Sequence, residues 1–368
     1  MFIAIFVISI LLSGPALSQT GKDSTSVKKK DEPDKVSLMV YPFAFYSPET
    51  ELAFGLGGVI GFNLSSRKQN PKLSSVTGSG YYTTNGQYSF TFTPELYIGK
   101  TETRVWGKLA YDKAIDKYYG TGNNVSEFDS ADYLQNNFTI SALVQTRVLD
   151  DRLKIGASFE RRDMKMKDKQ KNPFLTENLV TGSNGGATLG FGITASWDSR
   201  DDVNFPSKGG FYEFFSTYFF KSLGSDFEYT KYSIDLRRFI NPVKDHVIAA
   251  QAYMLVESKS PPFYDLALLG GDTKMRGYYT GRYRDRVYYT LQAEYRIPKI
   301  FWKLGMIAFA GMGDVAPSVN KITISTVKPT YGLGLRFRFD ELSKLDLRMD
   351  IGIGKGTTGV YFGAKQTF

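Results

Sequence analysis

The chain contains no cysteine and a single histidine, His246, among its 368 residues. The absence of cysteine excludes disulfide scaffolds, thiolate zinc sites and cysteine nucleophiles. One imidazole cannot form a histidine metal cluster, and it argues against most Ser-His chemistry. We therefore expect neither enzymatic activity nor a bound cofactor or metal.

Long apolar runs are also missing beyond the N-terminus, so no segment offers the about 18 consecutive apolar residues of a transmembrane helix. The opening stretch MFIAIFVISILLSGPALSQT is short, and it ends in small residues at Ala16-Leu17-Ser18. This pattern is typical of a secretory signal peptide, so we expect residues 1–18 to be removed on export. Residues 19–36 are charged and lack an apolar period, which predicts a disordered periplasmic lead.

Positive charge is in excess, with a formal net charge of +9, and aromatic residues make up 15% of the chain. Both are concentrated in MRGYYTGRYRDR, Met275 to Arg286, which has four arginines and three tyrosines. Cations beside aromatic rings are typical of nucleic-acid binding. Export removes the protein from cytoplasmic nucleic acid, so we do not expect nucleic acid as a partner.

Strict alternation of apolar and polar residues is the dominant pattern after residue 36. YGLGLRFRF (331–339), LDLRMDIGI (345–353) and LQAEYRI (291–297) each place apolar residues on one face and charged or small residues on the other. Successive side chains of a strand point to opposite faces, and segments of roughly 10–14 residues can cross a bilayer at a tilt. A sheet in lipid must close because its edges cannot leave amides unpaired. A soluble all-β protein is the alternative.

The candidate strands number about sixteen, an even count of the kind that single-chain bacterial barrels have. They fall near 37–46, 51–63, 73–84, 87–98, 102–114, 133–148, 152–165, 185–198, 210–221, 226–239, 244–257, 286–298, 302–312, 329–340, 344–353 and 358–368. We therefore predict an all-β fold, a single transmembrane antiparallel β-barrel over residues 37–368, with its longest connection at 258–285.

Three motifs, in order along the chain, resemble the BamA/TamA superfamily of outer-membrane assembly factors. LLGGDTKMRGYYTGRYRDR resembles its long extracellular loop, with the hallmark tripeptide at Arg276-Gly277-Tyr278. LQAEYRIP resembles the strand that follows, and WDSRDDVNFPSKGGFYEFF resembles an earlier signature. The resemblance covers the chain from about residue 37 onwards.

The resemblance implies a sixteen-stranded barrel whose loop, here 258–285, folds into the lumen as a plug. It also implies that Arg276 pairs with carboxylates on the inner wall. Buried arginine pairs bidentately with carboxylate, which gives the cationic stretch a structural role. A solvated basic loop that contacts lipopolysaccharide phosphates is the alternative. The candidate residues are Arg276, Gly277, Tyr278, Arg282, Arg284 and Asp285 in the loop, Glu294 and Arg296 on the inner wall, and Asp198, Arg200, Asp201, Pro206, Gly209 and Gly210 in the upstream motif.

The chain departs from the family pattern in two places. Where the family has Phe-x-Asp-x-Gly, this sequence reads Phe309-Ala310-Gly311-Met312-Gly313. We therefore expect the second carboxylate for Arg276 to be missing, Glu294 to be its main partner, and Gly311→Asp to stabilise the barrel. Few residues precede the first strand, so we also expect a short, barrel-only branch without periplasmic POTRA domains.

By resemblance, the seam between the first and last strands is weakly paired and can open sideways. Pro42 lacks a backbone N–H and belongs at strand edges, and Phe368 ends the last predicted strand, so we expect both residues at this lateral seam. Phe368 also matches a C-terminal insertion signal of the family. We expect a bacterial outer-membrane barrel that assists insertion or translocation of proteins or lipids. The alternatives are a passive pore and a scaffold subunit. Expected partners are outer-membrane lipids including lipopolysaccharide, nascent outer-membrane proteins and accessory periplasmic subunits.

Four other motifs are interpreted as structural. GKGTTG (354–359) matches a phosphate-binding pattern, but it joins two alternating segments and is predicted to be a hairpin turn. His246 has no local serine or acid to support catalysis. EFDSAD (127–132) lacks the spacing of a calcium loop. ERRDMKMKDKQKN (160–172) is a charge run that is most typical of a solvated loop, although it could also meet anionic headgroups.

Overall fold

A computed structural model describes residues 36–47, 50–64, 74–99, 103–125, 131–148, 152–169, 172–203, 205–340, 345–364 and 366–368. The predicted signal peptide and nearly all of the predicted lead lie outside the described residues, as does most of EFDSAD. None of the described helices is long and apolar enough to cross a membrane.

Within the described residues, one antiparallel sheet contains sixteen strands, and each strand pairs with its neighbour in chain order. The predicted all-β barrel is therefore confirmed. The strands are β1 (Ser37–Ser47), β2 (Glu51–Phe62), β3 (Ser74–Thr83), β4 (Tyr88–Ile98), β5 (Thr103–Tyr118), β6 (Ala131–Arg147), β7 (Leu153–Asp168), β8 (Gly185–Asp198), β9 (Gly209–Phe219), β10 (Tyr229–Ile240), β11 (Val247–Glu257), β14 (Val287–Phe301), β15 (Leu304–Ala316), β16 (Lys328–Asp340), β17 (Leu345–Gly354) and β18 (Thr357–Ala364).

The connection between β11 and β14 holds a second, two-stranded sheet made of β12 (Ala267–Leu269) and β13 (Tyr283–Asp285). The sequence pattern does not predict these two strands, because three residues are too few to show an alternating pattern. A four-residue helix, α1 (Pro173–Thr176), lies between β7 and β8, and short 3-10 turns occupy 221–223, 319–321 and 324–326.

The burial pattern of the barrel is the reverse of a soluble sheet sandwich, with apolar residues outside and polar residues inside. On β10, Asp235 is only 7% exposed, whereas its neighbours Ile234 and Leu236 are 44% and 43% exposed. On β16, Leu333 is 59% exposed and Arg336 is buried. This arrangement is stable where hydrocarbon surrounds the wall, since apolar side chains then contact lipid and polar ones meet each other within.

Several strand boundaries differ from the predictions, and β5 and β7 show one reason. They continue to Tyr118 and Asp168, beyond the predicted ends at 114 and 165, because the ladder continues past the apolar stretch. The charge run 160–172, predicted to be a solvated loop, lies largely in β7, where Met164 is buried. GKGTTG forms the predicted turn, with Gly354 opposite Thr357.

The predicted last strand 358–368 is too long at its C-terminal end. β18 ends at Ala364, and Phe368 leaves the wall to pack inside the barrel against Phe239, Val247 and Ala249. The carbonyl oxygen of Phe368 accepts a hydrogen bond of 2.8 Å from Arg296 Nη2. An aromatic side chain finds more contact area there than at the end of an exposed strand, so Phe368 does not belong to the seam.

The first and last strands approach one another, yet no hydrogen-bonded ladder joins β1 to β18 among the described residues. The start of β1 is exposed on both faces, as adjacent Leu38 and Met39 are 70% and 48% exposed. Pro42 lies on this edge strand opposite Leu56 of β2. The barrel is thus nearly closed, with one unpaired boundary.

Connections at one end are mostly tight, such as 302–303 between β14 and β15, and we call this end the short-turn mouth. The opposite end, the long-loop mouth, carries the connections 169–184 and 258–286. Since antiparallel strands alternate in direction, the N-terminal end of β1 and the C-terminal residues 366–368 both lie at the short-turn mouth.

Leu333→Arg tests the outward orientation of β16. A guanidinium at the hydrocarbon midplane should lower the free energy of unfolding by about 2–4 kcal/mol. Ile324→Arg is the matched control, because Ile324 is 92% exposed in the connection between β15 and β16. Denaturant titration in lipid vesicles measures both variants, and equal stability of the two would contradict a lipid-facing Leu333.

Candidate functional site inside the lumen

Residues 258–286, the lumen loop, are held against the inner wall at three places. Near its start, the Asp265 carboxylate accepts a 2.5 Å hydrogen bond from the Tyr229 hydroxyl and lies 2.7 Å from Lys231 Nζ. Arg162 of β7 is 3.4 Å away on the other side. Burial alone would raise the pKa of Asp265, but Lys231 and Arg162 outweigh burial and hold this pKa below its ordinary value.

The end of the lumen loop is held by Arg284, a fully buried residue of β13. Its Nη2 donates to the carbonyl oxygen of Lys117 at 2.9 Å, and its guanidinium lies 5.1 Å from the ring of Tyr118. The backbone of Arg284 also accepts a hydrogen bond from Gly122 N at 2.8 Å. This arginine therefore ties the loop to β5 through backbone acceptors and an aromatic face.

The loop motif contains three further charged residues, Asp285, Arg282 and Arg286. Asp285 is buried and accepts a 2.8 Å hydrogen bond from Arg286 N, and burial raises the pKa of its carboxyl group. Arg282 lies 5.5 Å from the ring of Tyr283. Arg286 Nη1 donates to the carbonyl oxygen of Lys259 at 3.4 Å.

The third anchor is Arg276 at the tip of the lumen loop, which is 1% exposed. Its Nη2 pairs with the Glu294 carboxylate of β14, and its Nη1 donates to Asp350 Oδ2 of β17 at 2.8 Å. Both carboxylates are completely buried. The guanidinium also stacks 3.6 Å above the ring of Phe309, so its edge and its face are both occupied.

The expectation that Arg276 lacks a second carboxylate is therefore wrong. Gly311 of β15 provides no carboxylate at the position where the family motif has aspartate. Asp350 provides it instead, from β17, which is two strands beyond β15 in the sheet. The signal was present in the alternation of LDLRMDIGI, which puts Asp346, Arg348 and Asp350 on the inner face. Sequence spacing could not show which of these carboxylates reaches Arg276.

Asp350 and Glu294 each serve more than one cation. Arg336 donates to Asp350 Oδ1 at 2.5 Å, and Arg296 Nε donates to Glu294 Oε2 at 2.8 Å. Arg348 lies between Asp350 and Asp272 of the lumen loop. We call these residues the ion cluster: Arg276, Arg296, Arg336, Arg348, Glu294, Asp350 and Asp272. Such a network offsets the cost of burial because most charged atoms keep a hydrogen-bonding partner.

Gly277 allows the tip to lie directly on the wall. Its φ is +106°, and a Cβ there would come within 2.8 Å of the backbone of Gly354. Its N–H donates to the Tyr361 hydroxyl at 3.0 Å. Tyr278 is fully buried, and its hydroxyl donates to the carbonyl oxygen of Pro329 at 2.8 Å. The Arg-Gly-Tyr tripeptide thus contacts β16, β17 and β18, the strands that lead to the seam.

The upstream motif lies apart from the lumen loop, in the connection between β8 and β9 at the short-turn mouth. Arg200 forms a bidentate salt bridge with Asp198, in which Nη2 donates to Oδ2 at 2.8 Å and Nε donates to Oδ1 at 2.9 Å. Partial burial raises the pKa of Asp201, but hydrogen bonds from the Ser207 hydroxyl and from the backbone N–H groups of Lys208, Ser207 and Asp202 outweigh burial and lower this pKa.

Two further residues of the upstream motif fix the close packing of this connection. Gly209 has a φ of +92°, and a Cβ would lie 2.0 Å from the carbonyl oxygen of Ser199. Pro206 is buried, and Gly210 pairs with Arg238 of β10. The motif therefore builds a rigid turn, and the structure does not bring it together with Arg276.

Among the described residues, no group of three or more histidine and acidic side chains is arranged to hold a metal ion. His246 lies in the turn before β11, where its Nδ1 is 2.6 Å from the Tyr295 hydroxyl.

Arg276→Ala should lower the free energy of unfolding by about 3–5 kcal/mol, since it leaves two buried carboxylates without their shared cation. Arg286→Ala is the matched control in the same loop, because among the described residues the Arg286 side chain has one hydrogen bond, a long one to a backbone oxygen. Denaturant titration measures the free energy of unfolding of both variants, and gel electrophoresis gives the temperature at which each loses its compact form. If Glu294→Gln and Asp350→Asn leave stability unchanged while Arg276→Ala does not, the pairing assigned here is wrong.

Gly311→Asp should destabilise the barrel, contrary to the expectation from sequence. A Cβ at Gly311 would come within 2.9 Å of Gln292 Cβ and of the carbonyl oxygen of Leu291. Overpacking of this kind costs about 1–3 kcal/mol. Gly78→Ala is the control, because no atom lies within 4 Å of the Cβ it would add. A Gly311→Asp protein more stable than the parent in denaturant titration would show that the lumen accepts another carboxylate.

Comparisons with known proteins agree with this architecture. The model of a family described as the Omp85 superfamily domain matches residues 53–368. No curated protein sequence matches the chain.

Several solved structures share the fold at low sequence identity. BamA from Haemophilus ducreyi lacking POTRA domains 1–3 is 13% identical with a TM-score of 0.63, and the alignment covers 91% of this chain and 70% of that chain. CdiB from Acinetobacter baumannii is 12% identical with a TM-score of 0.59, covering 90% and 65%. CdiB from Escherichia coli is 11% identical with a TM-score of 0.57, covering 91% and 68%. The chain belongs to the Omp85 superfamily, whose barrels reside in the bacterial outer membrane.

Proposed function

We propose that this barrel assists the insertion or translocation of proteins or lipids at the outer membrane, by opening sideways between β1 and β18. The observation that carries the proposal is the seam itself, where no ladder joins these strands among the described residues. Separating β1 from β18 costs less free energy than separating any other pair of neighbouring strands, because each of the other pairs would lose a row of backbone hydrogen bonds. The role is non-enzymatic.

The lumen loop supports this assignment over a passive pore. Its residues Met275, Arg276 and Tyr278 are fully buried inside the barrel, so the loop occupies space that a conducting pore would leave to water. The loop tip also contacts β16, β17 and β18 through the tripeptide described above. It thereby steadies one side of the seam, while the exposed start of β1 forms the other side.

The partners that fit this proposal are outer-membrane lipids, lipopolysaccharide included, nascent outer-membrane proteins and accessory periplasmic subunits. A polypeptide strand can add to the free edge of β1 through main-chain hydrogen bonds. Export of the chain with removal of residues 1–18 is part of the same proposal.

Locking the seam tests the mechanism, and the absence of native cysteine makes introduced thiols unambiguous. Val40→Cys with Phe362→Cys places thiols on the two seam strands. Gly58→Cys with Gly78→Cys is the matched control, because these residues are directly opposite on β2 and β3 and have room for side chains. Each pair is expressed in cells depleted of the native protein, and outer-membrane proteins and lipids are quantified by mass spectrometry.

Depletion should lower the amount of a subset of outer-membrane proteins or lipids, and the parent chain should restore it. The oxidised seam pair should fail to restore it and should recover on reduction, whereas the control pair should work in both states. Full activity of the oxidised seam pair would reject lateral opening. Unchanged membrane composition on depletion would reject the assembly role itself, and large stable conductance steps in planar bilayers would favour a pore.

A further inference from the structure

A cavity of about 890 Å³ opens at the short-turn mouth. We call it the vestibule. Its walls come from the connection between β8 and β9, the turn between β10 and β11, and the inner face of β14 to β17. The function proposed above makes no use of this cavity.

The vestibule is strongly cationic. Its lining contains two carboxylates, Asp245 and Asp346, and six basic side chains: Lys208, Lys244, Arg296, Lys299, Arg336 and Arg338. Asp346 already pairs with Arg338, and Arg336 is held by Asp350 of the ion cluster. The lysines Lys208, Lys244 and Lys299 are exposed, and in the part of the chain that the structure describes no ion pair is recorded for them.

Arg296 supplies the specific feature of the vestibule. The residue is 4% exposed, its Nε donates to Glu294 and its Nη2 donates to the carbonyl oxygen of Phe368. Its Nη1 is buried and has no hydrogen-bond partner within the described chain. A buried charged N–H without an acceptor is unfavourable, so this atom is suited to a ligand oxygen. The rings of Phe239 and Phe368 flank the guanidinium at 5.8 and 5.1 Å.

The rest of the lining is apolar enough to accept the non-ionic part of a ligand. Pro206 and Val247 are buried, and Ile297, Pro298 and Met306 contribute further hydrocarbon surface. A group with several anionic oxygens on a partly apolar body fits such a site better than a bare carboxylate does. Guanidinium and ammonium groups together are the side chains that proteins use to bind phosphate.

We propose that the vestibule binds a phosphate group, with Arg296 Nη1 donating to one of its oxygens and Lys208, Lys244 and Lys299 meeting its charge. The phosphate can come from a phospholipid headgroup or from a free phosphate ion. The site stands independently of the seam, because no residue of β1 or β18 takes part in it. Its failure would leave the proposed function untouched, and failure of seam opening would leave the site untouched.

Calorimetric titration of the full chain in non-ionic detergent tests the proposal at low ionic strength. The ligands are sodium phosphate, dihexanoyl-phosphatidylglycerol, phosphate-free dihexanoylglycerol and a hexaglutamate peptide. The variant Lys208→Gln/Lys244→Gln/Lys299→Gln removes the exposed charges. The control Lys221→Gln/Lys321→Gln/Lys355→Gln removes three exposed lysines at the long-loop mouth, and gel mobility of the compact form confirms that each protein is folded.

The vestibule triple variant should bind phosphate or phosphatidylglycerol roughly tenfold more weakly, since each exposed cation contributes a modest Coulomb attraction. The control triple variant should bind as the parent does. Arg296→Lys, which keeps the charge but loses the forked donor, should also weaken binding in a folded barrel. If sodium phosphate and phosphatidylglycerol both bind, the free phosphate ion is a sufficient ligand. If phosphatidylglycerol alone binds, the ligand is a lipid headgroup.

Three results would overturn the proposal. They are equal binding of dihexanoylglycerol and phosphatidylglycerol, equal affinities of the two triple variants, and binding of hexaglutamate without either phosphate ligand. The last result would show that acidic polypeptide is the preferred occupant of the vestibule.

Discussion

The organisation of the barrel depends on one buried cation, the guanidinium of Arg276 between Glu294 and Asp350. A charge removed from water is costly, and only paired, hydrogen-bonded partners offset that cost. Here the partners come from strands on different parts of the wall, with the ring of Phe309 against the guanidinium face. Because the pairing is satisfied only when the loop tip is inside, the ion cluster specifies both the loop's position and the spacing of the wall.

The same interaction divides the barrel into a reinforced part and a free boundary. Through Asp265 and Arg284 the lumen loop is fixed to β5, β7 and β10, and through Arg276, Gly277 and Tyr278 it is fixed to β14 and β16–β18. The last strands are therefore stabilised by contacts with the lumen loop as well as by hydrogen bonds to their neighbouring strands. The seam beside β1 lacks a ladder among the described residues, and this is the boundary at which we propose that the wall opens.

The candidate site was only partly predictable, and the residues that were missed show why. Resemblance pointed to Arg276 and Glu294, whose contact the structure contains, but it placed Phe368 at the seam and left Arg276 with one carboxylate. Asp350 lies 74 positions from Arg276 in sequence, and their contact depends on the curvature that brings β17 under the loop tip. Asp265, with Lys231 and Arg162, was missed for the same reason, since each residue alone resembles an ordinary solvated charge.

The sequence by itself determined the strand count and the apolar outer face, because the period of two in segments such as YGLGLRFRF is a local property of extended backbone. It also determined where the tight turn of the loop tip lies, since the backbone at Gly277 requires a residue without a side chain. Only the tertiary structure decided which inward charges pair, that residues 366–368 turn into the lumen, and that a cationic vestibule surrounds Arg296. Those outcomes depend on distances across a closed sheet, and no local pattern records the radius or stagger at which the sheet closes.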